Sequence, residues 1–149
     1  MEIIEQLEKT QAETLKYFDL AEADLEKNYG PGKWTVRYIL HHLSDSETVF
    51  LYRIKRVISE PKQVIWVYDQ EAWSRKLDYA RAPLELGRSI YAASREAIKY
   101  CARMHYERSD DIKFVHSETG LRSLKDEFDK VVWHNQQHVR DIENALRSA

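Results

Sequence analysis

Turn-forming residues are scarce in this chain, and that scarcity limits what it can fold into. Its 149 residues contain 4 Gly and 3 Pro. The breaks fall at Gly30-Pro31-Gly32, Pro61, Pro83 and Gly120. Between them lie four long segments in which apolar residues recur at spacings of three and four, the signature of amphipathic helices. The first runs from about Glu2 to Lys27 on Ile3, Ile4, Leu7, Leu15, Phe18 and Leu25. The second runs from about Val36 to Ser59 on Val36, Ile39, Leu40, Leu43, Phe50, Ile54, Val57 and Ile58, with Thr35 as its N-cap. The third starts near Pro83, a residue suited to a first helical position, and continues to about Met104. The fourth runs from about Leu121 to Leu146.

Four helices of ~22–26 residues, each ~33–39 Å long, predict an all-α four-helix bundle. One domain over residues 1–149 is expected, since a chain of this length can bury a core without a metal or disulfide staple. The connection between the second and third helices is the longest, at roughly twenty residues, well above the usual helix–helix loop. That length allows a crossover or a loop folded over one end of the bundle. Within it, Val64-Ile65-Trp66-Val67-Tyr68 has strand character. A lone strand leaves its backbone unpaired, so an extended connection is expected, followed by a short helix capped by Asp69 and running through Ser74 to Leu77. Ile112-Lys113-Phe114-Val115 reads as a short extended piece before the fourth helix.

Composition removes several function classes. With 4 Trp, 9 Tyr, 4 Phe and a net charge of −2 the chain does not resemble a disordered one. A single cysteine, Cys101, excludes a disulfide framework. A computed pI of 6.3 gives no electrostatic footprint for nucleic acid. No apolar run is long enough to span a membrane. The opening MEIIEQLEKT is acidic and amphipathic, unlike a signal peptide, so a cytoplasmic protein is expected. Cys101 falls on the apolar side of the third helix and reads as a small buried hydrophobe. The charged residues of the first and third helices read as solvated faces. Trp34, Trp66, Trp73 and Trp133 read as core residues or lids.

The histidines carry more chemistry. His134 and His138 are four apart on the fourth helix, one turn apart on one face, a spacing that suits two ligands of one metal. At 100° per residue they lie roughly 70–110° from the centre of the apolar stripe, on a shoulder that faces a neighbouring helix. On the second helix His42 sits roughly 110° from the stripe's centre, near Ser46, whereas His41 lies roughly 150° away and reads as solvent-facing. His105 and His116 read as surface or loop residues. If the second and fourth helices are neighbours, His42, His134 and His138 converge. Three neutral nitrogens suit Zn, Ni, Fe or Mn and leave positions open for water or a thiol, which loses its proton there near neutral pH. Asp45, Glu47, Glu127 and Asp141 are candidates for orienting the imidazoles. Trp34, Tyr68, Trp73 and His116 are expected around the opening.

Several motifs together resemble one known family. The run from Lys33 through Trp34-Thr35-Val36 to His42-Leu43-Ser44-Asp45-Ser46-Glu47 resembles the opening of the second helix in the DinB/YfiT-like superfamily. There the histidine directly before the Leu is a metal ligand. His134-Asn135-Gln136-Gln137-His138-Val139 resembles the superfamily's C-terminal His-x-x-x-His. Tyr68-Asp69-Gln70-Glu71-Ala72-Trp73 and His116-Ser117-Glu118-Thr119-Gly120 also fit, in order, along nearly the whole chain. Arg140-Asp141 stand where many members carry a Gln. The resemblance implies a four-helix bundle, often a homodimer, with a three-His divalent metal site at His42, His134 and His138. It implies a metal-dependent enzyme, a hydrolase or a transferase of a low-molecular-weight thiol, acting on a small electrophilic substrate. The alternatives are a non-catalytic bundle that binds a metal or small molecule, and an interaction protein whose histidine triad is incidental. No nucleic-acid or membrane partner is expected.

Overall fold

A computed structural model describes residues 2–148. The helical periodicity is realised in four long helices: α1 (Glu2–Tyr17), α3 (Val36–Ser59), α5 (Leu84–His105) and α6 (Leu124–Arg147), with short helices α2 (Glu22–Leu25) and α4 (Gln70–Lys76) in the connections. The second predicted helix matches α3 at both ends. Thr35 accepts a hydrogen bond from the Tyr38 amide at its start, and the chain turns before Pro61 at its end. The first predicted helix is corrected. It stops at Tyr17, where i→i+3 bonds from the Phe18, Asp19 and Leu20 amides tighten the last turn. The chain then folds back, so that Phe18 and Leu25 both reach the core.

The strand at Val64 has a partner after all. β1 (Val64–Ile65) pairs parallel with β2 (Lys113–His116), which pairs antiparallel with β3 (Gly120–Ser123). The isolated extended connection expected there is therefore overturned: the second extended piece supplies the missing hydrogen bonds. The same hairpin shortens the last helix. Gly120 turns at φ +79°, residues 120–123 pair with β2, and α6 begins at Leu124. A capping box between Ser123 and Asp126 fixes that start.

Apolar packing gives the helix directions. One cluster joins Ile3 and Leu7 to Phe50, Ile54 and Val57, to Ile98 and Ala102, and to Leu124, Phe128 and Val131. The other joins Phe18 and Leu25 to Val36, Ile39, Leu40 and Leu43, to Tyr91, and to Ile142 and Ala145. α1 and α6 thus run one way and α3 and α5 the other. α3 packs between α5 and α6, and α1 packs on the far side of the same pair. Because α3 and α5 are parallel neighbours, residues 60–83 must return the length of the bundle. The long connection is a crossover.

Between the two clusters lies a buried polar layer. Arg95, fully buried on α5, pairs with Glu47 of α3. Its Nη1 donates to Leu7 O at 2.9 Å and Thr10 Oγ1 at 2.8 Å on α1, and its Nη2 to Asn135 Oδ1 at 3.0 Å on α6. Asn135 also accepts from the Tyr91 hydroxyl at 2.6 Å and donates to Thr14 at 2.7 Å. All four long helices therefore meet in one network. The expectation that the charges of the first and third helices are solvated fails here: Arg95 and Lys99 are both buried, because α5 is covered by α1 as well as α3. Cys101 is buried, and burial pushes its thiol up, as its place on the apolar side predicts. Among the described residues, no helix is long and apolar enough to cross a membrane.

Removing one partner of a buried ion pair strands the other charge, at a cost of ~3–5 kcal/mol. Arg95→Met is expected to lower the urea midpoint by that equivalent, and Arg95→Met with Glu47→Leu to recover part of it. A loss below ~1 kcal/mol for the single variant would show that the layer does not hold the bundle together.

Candidate metal centre

α3 and α6 are antiparallel neighbours, and their facing sides set the site. His42 stands on α3 two turns beyond the Thr35 cap, and His134 and His138 stand on successive turns of α6. The network fixes both rotations. Glu47 turns one face of α3 toward Arg95, and Asn135, next to His134, does the same for α6. The adjoining faces are left to meet each other.

They meet closely. His42 Nε2 and His134 Nε2 are 3.0 Å apart, and one nitrogen from each of His42, His134 and His138 lies within 4.8 Å of the others. The three rings stand edge to face, with centroids 4.6 to 5.0 Å apart. Trp34 covers His42 at 4.9 Å and Phe50 covers His134 at 5.4 Å.

Burial and proximity keep these rings neutral. Burial, with His138 adding to it, pushes His42 down to about 3. His134 is held well below the ordinary imidazole range by burial and by His138 and His42. His138 is lowered by burial, opposed by Asp141. Three neutral imidazoles can therefore each offer a ring-nitrogen lone pair to one small space. Nitrogens bound ~2.0–2.1 Å from one ion and ~90–110° apart would be ~2.8–3.4 Å from each other, which the His42–His134 separation matches. The donor set fits a divalent transition metal.

Around the triad, the four carboxylates considered from sequence separate. Only Asp141 touches it, with Oδ2 3.4 Å from His138 Nδ1. Asp45 faces the other side of α3 and accepts from the Tyr79 hydroxyl. Glu47 is taken by Arg95. Glu127 is buried farther down α6, with Oε2 unpartnered. His41 is not solvent-facing. The crossover covers it: its ring stacks on Tyr79, and its Nε2 lies 3.1 Å from Ala82 O. The wheel failed because it assumed one buried face, whereas α3 is covered on three sides.

Two spaces open beside the histidines. One, of about 480 Å³, is lined by Trp34, Gln70, Trp133, Gln137, His134 and His138. The other, of about 230 Å³, includes Ser46, Tyr68, His116 and His134. Of the residues expected at the opening, Trp34, Tyr68 and His116 are there. Trp73 packs on Tyr68 at 4.8 Å without lining either space. His116 is buried at the end of β2 rather than a surface bystander. Trp133 forms part of the rim, and Trp66, 75% exposed, is neither core nor lid. Ser46 proves close to the triad: its Oγ is 2.6 Å from the Tyr68 hydroxyl and 3.4 Å from His42. Sequence reading passed over Arg53 and Lys130, yet their spacing was visible. Arg53 is eleven residues after His42 and Lys130 four before His134, so each shares its helix face with a triad histidine.

The sequence profile of the DinB superfamily matches residues 6–142. A protein of Oceanobacillus iheyensis, named as a "putative metal-dependent hydrolase", is 32% identical over 126 residues, 83% of this chain and 72% of its own. YfiT of Bacillus subtilis, which carries the same description, is 27% identical over 133 residues, 86% of this chain and 72% of its own. A solved structure of YfiT, described as having "an unusual four-helix bundle topology", superposes with a TM-score of 0.88 at 26% identity, covering 98% of this chain and 85% of that one. By profile, sequence and fold alike, the chain belongs to the DinB superfamily.

Proposed function

We propose that His42, His134 and His138 hold one divalent metal and that the protein is a metal-dependent enzyme acting on a small electrophilic substrate, by hydrolysis or by transfer of a low-molecular-weight thiol. The observation that carries this reading is the convergence of three neutral ring nitrogens within 4.8 Å, beside an open cavity. The description of relatives as metal-dependent hydrolases agrees with it. Zn, Ni, Fe and Mn all suit an all-nitrogen set with open positions. When bound, such an ion supplies Lewis acidity, which lowers the pKa of a coordinated water or thiol and polarises an electrophile.

The chain's own residues do the rest. Asp141 Oδ2, 3.4 Å from His138 Nδ1, is the carboxylate placed to orient this ring, and a proton held on Nδ1 would leave the Nε2 lone pair free. Trp34 against His42 and Phe50 against His134 limit the access of water to the rings from the two cavities. Burial raises the Tyr68 hydroxyl, so it stays protonated at neutral pH. It can therefore donate a hydrogen bond to a substrate oxygen at the cavity mouth, with Ser46 fixing its position.

Purified protein stripped of metal is expected to take up one equivalent of Zn(II) or Ni(II) per chain. His138→Ala should weaken uptake at least ~100-fold with unchanged circular dichroism, and Asp141→Asn by ~10–100-fold. Loaded protein would then be screened for hydrolysis and thiol transfer. A chain that takes up none of the four metals would sink the reading, and metal uptake without turnover on a broad panel would favour the non-catalytic bundle.

The buried histidines also predict a pH dependence. Their folded pKa values lie below the unfolded value of ~6.5, so the unfolded chain binds more protons. The stability of the metal-free protein is complete above that value and is lost as pH falls from there toward about 3, the level of His42. An acid titration followed by far-ultraviolet circular dichroism should show unfolding at lower pH in His42→Asn than in the parent. Identical curves would mean that the triad does not govern acid stability.

A further inference from the structure

The polar stripe that supplies the histidines extends beyond them. On α3, Ser46 and Arg53 follow His42 at four and eleven residues. On α6, Lys130 and Glu127 precede His134 at four and seven. These spacings hold one helix face. The stripes meet in the cavity of about 230 Å³, where Arg53, His116 and Lys130 join Ser46, Tyr68 and His134. That cavity therefore shares a wall, His134, with the proposed metal centre.

Among the described residues, neither cation in it is held in a close ion pair. Arg53 is 4% exposed. Its one hydrogen bond among the described residues runs from Nη2 to the Trp66 carbonyl at 3.0 Å. Lys130 is half-buried, with its ammonium 5.9 Å from the centre of the Phe50 ring. Among the described residues, neither makes an ion pair within 4 Å, unlike Arg37, Arg95, Arg122 and Lys125. One acidic group borders the space, the exposed Glu118; Glu127, buried with Oε2 unpartnered, lies outside it but within electrostatic reach of both cations. A buried guanidinium without a carboxylate is unusual, because desolvating a charge is costly unless it is paired. His116 adds a neutral donor. Its Nδ1 accepts from the Glu118 and Thr119 amides at 3.1 and 3.2 Å, so the neutral ring carries its proton on Nε2.

We propose that this cavity is an anion subsite in which Arg53, Lys130 and the Nε2–H of His116 hold a carboxylate of the substrate. The reacting end of the same molecule then lies at the three histidines. The substrate class becomes a small carboxylic acid whose electrophilic group is a few bonds from the carboxylate. Arg53 and Lys130 are set against the buried Glu127 and the exposed, solvent-screened Glu118, so the site holds at most about one net positive charge, which suits a monoanion better than a phosphate dianion. The planar guanidinium also matches a carboxylate's two oxygens. The second half of this proposal rests on the metal reading; the anion subsite does not.

The test uses the full chain, metal-free and zinc-loaded, titrated with butyrate, with its neutral isostere butyramide and with inorganic phosphate, followed by amide nuclear magnetic resonance. Butyrate is expected to shift resonances around Arg53, His116 and Lys130 saturably in both forms, and butyramide is not. Lys130→Met should weaken butyrate binding at least ~10-fold, the loss of one charge-assisted contact, while Lys130→Arg retains it and zinc affinity is unchanged in both. Lys130 has no bonded partner to strand, so these variants should fold, and unchanged circular dichroism checks that. Equal shifts from butyrate and butyramide would overturn the proposal, as would phosphate binding more tightly than butyrate. Butyrate binding confined to the zinc form and indifferent to Lys130→Met would place the carboxylate on the metal and overturn it too. Failure of zinc uptake with butyrate binding intact would count against the metal reading alone.

Discussion

The contact on which the rest of this structure depends is the Arg95–Glu47 pair with its extension to Asn135. A fully buried guanidinium has five donors to satisfy, and here four hydrogen bonds from it reach three other helices at once. Apolar packing tolerates small rotations of a helix about its axis. A directional network does not. It therefore acts as a register pin between the two apolar clusters, next to the level of the three histidines. Asn135 is the next residue after His134, so rotating α6 enough to lose the Asn135 bonds would also turn His134 and His138 off the α3 groove.

The crossover supplies what helices alone cannot. A bundle with short hairpin connections would leave the α3–α6 groove as an open trench. Here the first part of residues 60–83 lies over it, and the rest crosses α3 to the side facing α5. They are anchored by β1 pairing at one end, by Tyr68 on Ser46 in the middle, and by Tyr79 on Asp45 at the other end. The β2–β3 hairpin closes the side toward His116. The histidines thus sit in a walled recess, and desolvation by those walls is the largest cause of the lowered imidazole pKa values.

Local signals were legible in the sequence, and long-range ones were not. Thr35 and Pro61 bracket α3 because a cap and a missing amide act within a turn. His134 and His138 could be paired because four residues make one turn, and the family resemblance pointed to the same His42 as the wheel. Val64 and Ile65 were misjudged because their partner strand lies some fifty residues on. Leu121-Arg122-Ser123 suits a helix and becomes a strand only because Gly120 turns it onto β2. His41 was placed outside because an amphipathic wheel assumes a single neighbour, and Arg95 because the charges of its helix were read as one solvated face, whereas both helices have several neighbours. Arg53 and Lys130 were passed over for a related reason: charged residues on a helix are ordinarily solvated, and only the fold shows these two facing each other across a groove.

The separation of His42 from His134, 92 residues apart in the chain, also determines when such a site exists. A fragment ending before α6 carries one of the three imidazoles, and one beginning after α3 carries two. No partly folded form that leaves α6 undocked can assemble the set. Ligand affinity at the triad is therefore drawn from the folding equilibrium of the whole bundle. Occupancy of the site would report the integrity of distant parts of the molecule, the Arg95 layer included, as faithfully as it reports the histidines themselves.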